Sequence, residues 1–325
     1  MRAAETLELA PLDDDLARVE ARLHESVRHP DRFLGEVASH LVTAGGKRIR
    51  PTLTLCAAYA ASTGARPVSD EAVTGGVAVE LVHLGSLYHD DVIDEAETRR
   101  GVPSVNARWS NIVAILSGDY LLARASALAA SLGADVARLL ADTIGELCRG
   151  QVLELQHLYD VARSEEDYQS TIEGKTASLF ATACRIGGMV SEVDEPTLDA
   201  LTRYGHHLGM CFQIVDDCLD LTATDEALGK PAGQDLVEGI YTLPVIYALH
   251  ACEPLRSLLG APTDPERLAE ARALATSDGA VPCALDVARD HATKAGEALA
   301  GAEHLDSTVT AGLHRLVEGL VSRDS

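Results

Sequence analysis

The twelve prolines of this 325-residue chain leave three long segments, residues 68–102, 104–195 and 197–230, without any. Proline interrupts a helix because it lacks an amide donor and its ring strikes the preceding turn. Long proline-free runs rich in Ala, Leu and Val therefore favour helices. A composition of 46% hydrophobic but only 4% aromatic residues points the same way. In "ARLLADTIGELCRGQVLELQHL" the apolar residues recur at helical spacing, and no strand-like alternation persists anywhere. Residues from about 1 to 29 read as an N-terminal helical region. The prolines that return at 231–282 predict shorter helices from about 252 to 325. With no low-complexity linker and no repeat of 20–50 residues, the chain reads as one all-α domain, 1–325, a bundle of long helices.

A formal charge of −23 argues against a nucleic-acid or anionic-membrane surface, since phosphate backbones need a positive patch. Any anion must be handled locally, by metals or by a few placed cations. The seven cysteines (56, 148, 184, 211, 218, 252 and 283) show no CxxC spacing and read as buried free thiols of a reducing compartment. The first residues, "MRAAETLELAPLDDD", are acidic and lack a signal-like apolar run. No unbroken apolar stretch approaches the length of a membrane span. A soluble, cytoplasmic protein without a transmembrane segment is the expectation.

Against this background two acidic runs echo each other, "HDDVID" at 89–94 and "VDDCLD" at 215–220. Asp90 and Asp94 share a helical face, as do Asp216 and Asp220. Like charges at that spacing destabilise an isolated helix by roughly 0.2–0.5 kcal/mol per pair. A solvated acidic face is the bland explanation. The neighbouring sequence, "VAVELVHLGSLYHDDVID" and "GMCFQIVDDCLDLT", is apolar instead, so the acids lie at least partly inside and need a cation. Hard oxygen ligands beside substrate phosphates are the usual setting of Mg²⁺.

Lysine usage supplies a second clue. Three of only four lysines follow glycine, in "GGKRIRP" (Lys47), "EGKTASL" (Lys175) and "LGKPAG" (Lys230). Glycine lets backbone approach a ligand closely, and lysine then acts as a point charge for phosphate. Arg48, Arg50, Arg99 and Arg100 add placed positive charge, and no Walker A loop is present. A competing pattern is Glu-x-x-His, which occurs twice, at Glu80/His83 and Glu154/His157. Two such pairs with two further helix glutamates would build a di-iron bundle. That alternative leaves the aspartate runs, the Gly-Lys sites and the arginine pair unexplained. His83 lies about 20° from Asp90 around a helix, two turns away, where an anion-binding role fits.

The blocks "GGKRIRP", "ELVHLGSLYHDDVIDEAETRRGVPSVN", "SGDYLLARA", "IEGKTASLF", "FQIVDDCLDLT" and "LGKPAGQDLVEGIYTLP" stand in an order that resembles the trans-type polyprenyl diphosphate synthases, over about residues 30 to 250. The resemblance implies a fold of the isoprenoid synthase type, with long helices around a central cavity. It implies a prenyltransferase that condenses isopentenyl diphosphate with an allylic diphosphate (dimethylallyl, geranyl, farnesyl or geranylgeranyl) and releases diphosphate. Mg²⁺ is the implied cofactor, three ions per site with Mn²⁺ as a substitute, held by Asp90, Asp94 and Asp216. Asp91, Asp217 and Asp220 would complete the acidic walls. Arg99, Lys175 and Lys230 would grip the allylic diphosphate, and Lys47, Arg50, His83 and Arg100 the isopentenyl one. Thr176 and Gln213 would stabilise the developing cation or fix the leaving group.

The resemblance further implies a homodimer, with transient membrane contact for product release. Gly85 and Ser86 stand where short-chain members carry aromatic side chains, with Val82 and Val79 below. An unblocked tunnel predicts a product of C30 or longer. A floor near Ile144 or Leu147 is the alternative. One departure is Ile240 in "GIYTLP", where the family commonly has lysine. A class I terpene cyclase is disfavoured by the intact "DDCLD". A non-catalytic or partner-dependent subunit of a heteromeric synthase is disfavoured by the full set of aspartates.

Overall fold

The computed structural model describes residues 7, 9–62, 66–224, 232–262, 264–277, 279–302 and 304–322. Among these the secondary structure is almost wholly helical: α1 Leu12–Ser26, α2 Arg32–Thr43, α3 Ile49–Ala60 and α4 Asp70–Ile93 precede a two-stranded hairpin, β1 Thr98–Arg99 with β2 Val102–Pro103. There follow α5 Val105–Arg108, α6 Asn111–Ser131, α7 Ala134–Gln156 and α8 Glu165–Ile172, which continues through a π-helical turn, Glu173–Ala177, into α9 Ser178–Met189. The chain then forms α10 Glu195–Thr222, α11 Gln234–Glu238, α12 Leu243–Ala251, α13 Glu253–Leu258, α14 Pro265–Ser277, α15 Ala280–Ala300 and α16 Ser307–Val321. Two-residue strands are too short to show a period, so the hairpin escapes sequence patterning.

Six of the twelve prolines prove to start helices. Pro51, Pro196, Pro244, Pro254, Pro265 and Pro282 all fall in the first turn of a helix, where no amide donor is needed. Hence α15 runs 21 residues despite Pro282, longer than expected for the C-terminal region.

Contact density divides the chain into two compact units. The first comprises Met1–Ile144, Leu179–Gly205 and Ala298–Leu316; the second comprises Gly145–Ser178, His206–Glu297 and Val317–Ser325. In the first, α4 is buried on nearly every side, as its all-round apolar sequence requires. Ser69 caps its start, accepting from the Ala72 amide at 3.2 Å, and Asp70 and Glu71 complement the helix dipole. α4 packs on α6 at bare backbone: a Cβ on Gly85 would stand 3.1 Å from the Gly118 carbonyl and 3.2 Å from Leu122. The room expected at Gly85 is thus filled by α6.

Helix α6 has the length and mean hydropathy, 1.4, of a membrane span, although no unbroken apolar run flags it in the sequence. Its Ala114, Ser117, Gly118, Leu121, Ala125 and Ala129 are buried, while Ile112, Ile115 and Leu116 face outward, Ile112 at 71% exposure. In the second unit α12, α13 and α14 close a core of Leu221, Leu236, Tyr241, Val245, Leu249 and Leu255. All seven cysteines are free; five are buried as expected, but Cys148 and Cys283 are exposed.

Candidate active site: a basic cluster and two acidic runs

In the first unit the cations gather around the start of α3 and the β1–β2 turn. Arg48 caps α3 in the left-handed region, φ 49°, a conformation that costs a non-glycine residue roughly 1–2 kcal/mol. Its guanidinium meets Glu20 and Glu80, each at 2.9 Å. Arg100 and Gly101, φ 54° and 76°, form the two-residue hairpin turn. The Arg100 guanidinium lies on Gly46, where a Cβ would come within 2.7 Å of Nη1, and donates to the Gly45 carbonyl. Arg50 stacks over the Phe180 ring at 4.8 Å, and its buried Nε has no hydrogen-bond partner. Burial pulls the Arg50 guanidinium down to about 10, against the pull of the Glu80 charge. Burial, together with the charges of Arg50, Arg100, Arg48 and Arg99, holds His83 well below the usual imidazole range. The expected residues Arg50, His83 and Arg100 therefore feel one another's charge, and exposed Lys47 adjoins them in sequence.

The first acidic run ends α4. Asp90 and Asp94 are half-buried, one turn apart, with the Asp94 amide donating to the Asp90 carbonyl at 2.8 Å. Asp91 is fully buried. Arg99 Nε donates to its Oδ1 at 2.6 Å, while its Oδ2 is buried and accepts no hydrogen bond. Burial raises the Asp91 carboxyl in spite of Arg99. Arg99, expected on the allylic diphosphate, is thus also the counter-ion of Asp91. Below the aspartates Ser86 is half-buried and donates to the His83 carbonyl at 2.9 Å; Val82 and Val79 are buried.

The second unit holds the other acidic run in α10. Asp216 is exposed, whereas Asp217 and Asp220 are buried. Asp217 accepts from Tyr168 Oη at 2.6 Å and from Gln213 Nε2 at 2.7 Å, and Gln213 Oε1 accepts from Thr176 Oγ1 at 2.7 Å. Thr176 and Gln213 are therefore joined in one chain to Asp217. Burial lifts the Asp217 carboxyl to about 7, helped by the charges of Asp216 and Glu154. Asp220 Oδ2 accepts from the Asp235 amide at 3.3 Å.

Lys175 sits in the π-helical turn, which touches α7 glycine to glycine. A Cβ on Gly150 would come within 2.3 Å of the Lys175 amide, and one on Gly174 within 2.8 Å of the Glu146 carbonyl. That approach sets Glu154, one turn after Gly150, in an ion pair with Lys175. The two Glu-x-x-His glutamates thus face cations, Arg48 and Lys175, as counter-ions and not as iron ligands. Lys230 lies outside the described residues. Tyr168, Arg163 and Glu20 carry no sequence signal of a role here. Arg163 is buried, 5.6 Å from the Tyr168 ring, and donates to Thr171 at 2.9 Å.

Among the described residues no three carboxylate, imidazole or thiolate side chains form a ready-made metal cage. Spaced carboxylates with a buried, unsatisfied Asp91 oxygen fit hard ions that take their remaining ligands from phosphate oxygens and water. The donor set suits a hard divalent cation.

The Tyr168 bond supports the ionised form of Asp217. A carboxyl raised above its unfolded value contributes stability at low pH that is lost as pH rises through the folded value. In the wild type that loss begins in the ordinary carboxylate range, near pH 4, and is complete near pH 7, the raised value of Asp217. In Tyr168→Phe the loss runs on to higher pH, leaving about 1–3 kcal/mol lower stability once it is complete. Denaturant unfolding across pH 3–10, alongside the carboxyl resonance of Asp217, measures both.

Comparison with known proteins agrees with this geometry. The polyprenyl synthetase family matches residues 31–274. A nonaprenyl diphosphate synthase of Mycobacterium tuberculosis is 40% identical over 290 residues, 88% of this chain and 86% of that protein. Heptaprenyl diphosphate synthase component 2 of Geobacillus stearothermophilus is 46% identical over 239 residues, 73% of each. A crystal structure of a polyprenyl synthase from Caulobacter crescentus, in complex with calcium and isoprenyl diphosphate, superposes with a TM-score of 0.91 at 33% identity, covering 99% of this chain and 98% of that one. The chain belongs to the polyprenyl synthetase family: it is a prenyltransferase with the all-α isoprenoid synthase fold.

Proposed function

We propose that the protein condenses an allylic diphosphate (dimethylallyl, geranyl, farnesyl or geranylgeranyl) with isopentenyl diphosphate, head to tail, in the cytoplasm, and releases diphosphate. The observation that carries this reading is the basic cluster: Arg50, with a buried Nε that lacks a partner, and Arg100 lie close enough to His83 to shift its titration. Buried guanidinium donors of this kind want an anion, and the N-terminus of α3 adds its own positive potential. Lys47, Arg50, His83 and Arg100 would bind the diphosphate of isopentenyl diphosphate. Arg99 and Lys175 would hold the allylic diphosphate, with Lys230 as a third cation.

Ionising the allylic C–O bond separates charge, and cations fixed in advance stabilise the departing diphosphate without reorganisation. Asp90, Asp94 and Asp216 would hold Mg²⁺, three ions with Mn²⁺ as a substitute, which neutralises diphosphate charge when bound. Thr176 and Gln213, fixed through Asp217, would orient the leaving group beside Lys175. The alkene then attacks the allylic carbon, and the proton lost from the adduct passes to the released diphosphate. Apolar walls keep water from the cation. Ile240 supplies no charge where the family commonly has lysine; its amide donates to the Asp235 carbonyl at 2.8 Å.

Asp90→Ala and Asp216→Ala each lower kcat by about a hundredfold or more while the helical circular dichroism is unchanged. Near-normal turnover in a Mg²⁺-dependent assay with labelled isopentenyl diphosphate rejects the metal role.

A product of C30 or longer is supported by the nona- and heptaprenyl names of the relatives and by the small side chains before Asp90. Ser86 is the adjustable position, since Gly85 is closed by α6. Ser86→Tyr shortens the product without abolishing turnover, as read by chromatographic sizing; an unchanged length removes Ser86 from the wall.

The similarity to a protein named component 2 favours, as a second reading, a chain that works with a different subunit. Against it, the outward Ile112, Ile115 and Leu116 of α6 offer an apolar strip for a second copy of this chain. Ile112→Glu with Leu116→Glu turns a homodimer into a monomer by light scattering. A purified wild type that is monomeric and inactive until a partner is added supports the heteromer instead.

A further inference from the structure

Glu80 is 1% exposed on an apolar helix, and substrate chemistry as proposed gives it nothing to do. Its Oε1 accepts from Arg48 Nη1 at 2.9 Å and lies 3.9 Å from Arg100 Nη2. Arg48 has five N–H donors. They meet Glu80, the Gly45 carbonyl at 3.4 Å, Glu20 Oε2 and Oε1 at 2.9 Å each, and the Val42 carbonyl at 3.1 Å. Every donor is taken, so Arg48 is a girder of the protein and leaves substrate to its neighbours.

The girder holds a specific piece of backbone. The Gly45 carbonyl accepts from both Arg48 and Arg100, and Gly45, Gly46 and Arg48 all have positive φ. Lys47 lies inside that strained turn and Arg50 just after it. Glu80 also attracts the Arg50 and Arg100 charges directly. Three guanidinium groups packed this closely repel one another, and a buried carboxylate among them offsets that repulsion.

We propose that Glu80 is the positioning residue of the isopentenyl diphosphate subsite: through Arg48 it fixes the turn at residues 45–48, and by its charge it keeps Arg100 and Arg50 gathered for the incoming diphosphate. This role rests on the reading of the basic cluster given above. It explains why the glutamate of "ELVH" stands one turn before His83: both serve the same anion, one by contact and one from behind.

The test separates positioning from plain stabilisation by asking which substrate suffers. In Glu80→Gln the KM for isopentenyl diphosphate rises about tenfold, while the KM for the allylic diphosphate stays within about twofold. Glu80→Asp, which keeps the charge on a shorter stem, falls between Gln and wild type. Because breaking a buried pair can unfold the chain, Arg48→Met with Glu80→Met is measured beside them. It removes both charges, stays folded, and still shows the raised KM because Arg100 has lost its counter-ion. A folded variant with equal rises in both KM values, or with none, overturns the proposal. Calorimetric titration with isopentenyl diphosphate alone tells the two levels apart. If wild type binds and Glu80→Gln binds equally well, the positioning role fails and the subsite reading stands. If wild type itself does not bind, the subsite reading fails and takes the positioning role with it.

Discussion

Ionised groups are expensive to bury, and this protein buries several in apolar helices. The pairing of each with an opposite charge or a hydrogen-bond donor is what the rest of the structure depends on. Glu80 is held by Arg48, Asp91 by Arg99, Glu154 by Lys175 and Asp217 by Tyr168 and Gln213. An isolated buried charge carries a desolvation penalty of several kcal/mol, and breaking such a pair is correspondingly costly. The pairings are incomplete in a consistent way. Asp91 Oδ2 and Arg50 Nε are buried without partners, and Asp217 is pushed toward neutrality.

Close backbone approach is the second recurring device. Gly85 on Gly118 and Gly150 on Gly174 let helices meet without intervening side chains, so the residues one turn away are brought into register. Gly150 against the π-helical turn sets Glu154 on Lys175. Gly46 beneath Arg100 allows a guanidinium to lie flat on a turn that any Cβ would obstruct. Positive φ at Arg48 and Arg100 shows that strained backbone is accepted to place a cation, the strain being offset by the hydrogen bonds each guanidinium makes.

Much of this was legible beforehand. Proline-free runs announce helices, the i, i+4 aspartates announce two acidic faces, and lysines after glycine mark the turn at Lys47 and the π-helical turn at Lys175. The Glu-x-x-His pairs were legible as a pattern and ambiguous as chemistry, because a helical glutamate is equally suited to iron or to arginine. What fixed their role is a contact to Arg48 across 32 positions and one to Lys175 across 21. The link between Tyr168 and Asp217 spans 49 positions and follows no period at all. The two-residue strands and the outward face of α6 were likewise invisible, since neither leaves an alternating pattern or an unbroken apolar run.

The sequence by itself determined the helical class, the family and the set of charged residues available for chemistry, because periodicity, proline placement and short motifs are local properties of the chain. Tertiary structure alone decided which cation answers which carboxylate, which arginine is held wholly by protein groups, and that α6 closes over Gly85. Those outcomes depend on distances between residues far apart in sequence. Burial then sets their strength, since an electrostatic contact shielded from water is worth several times the same contact at the surface.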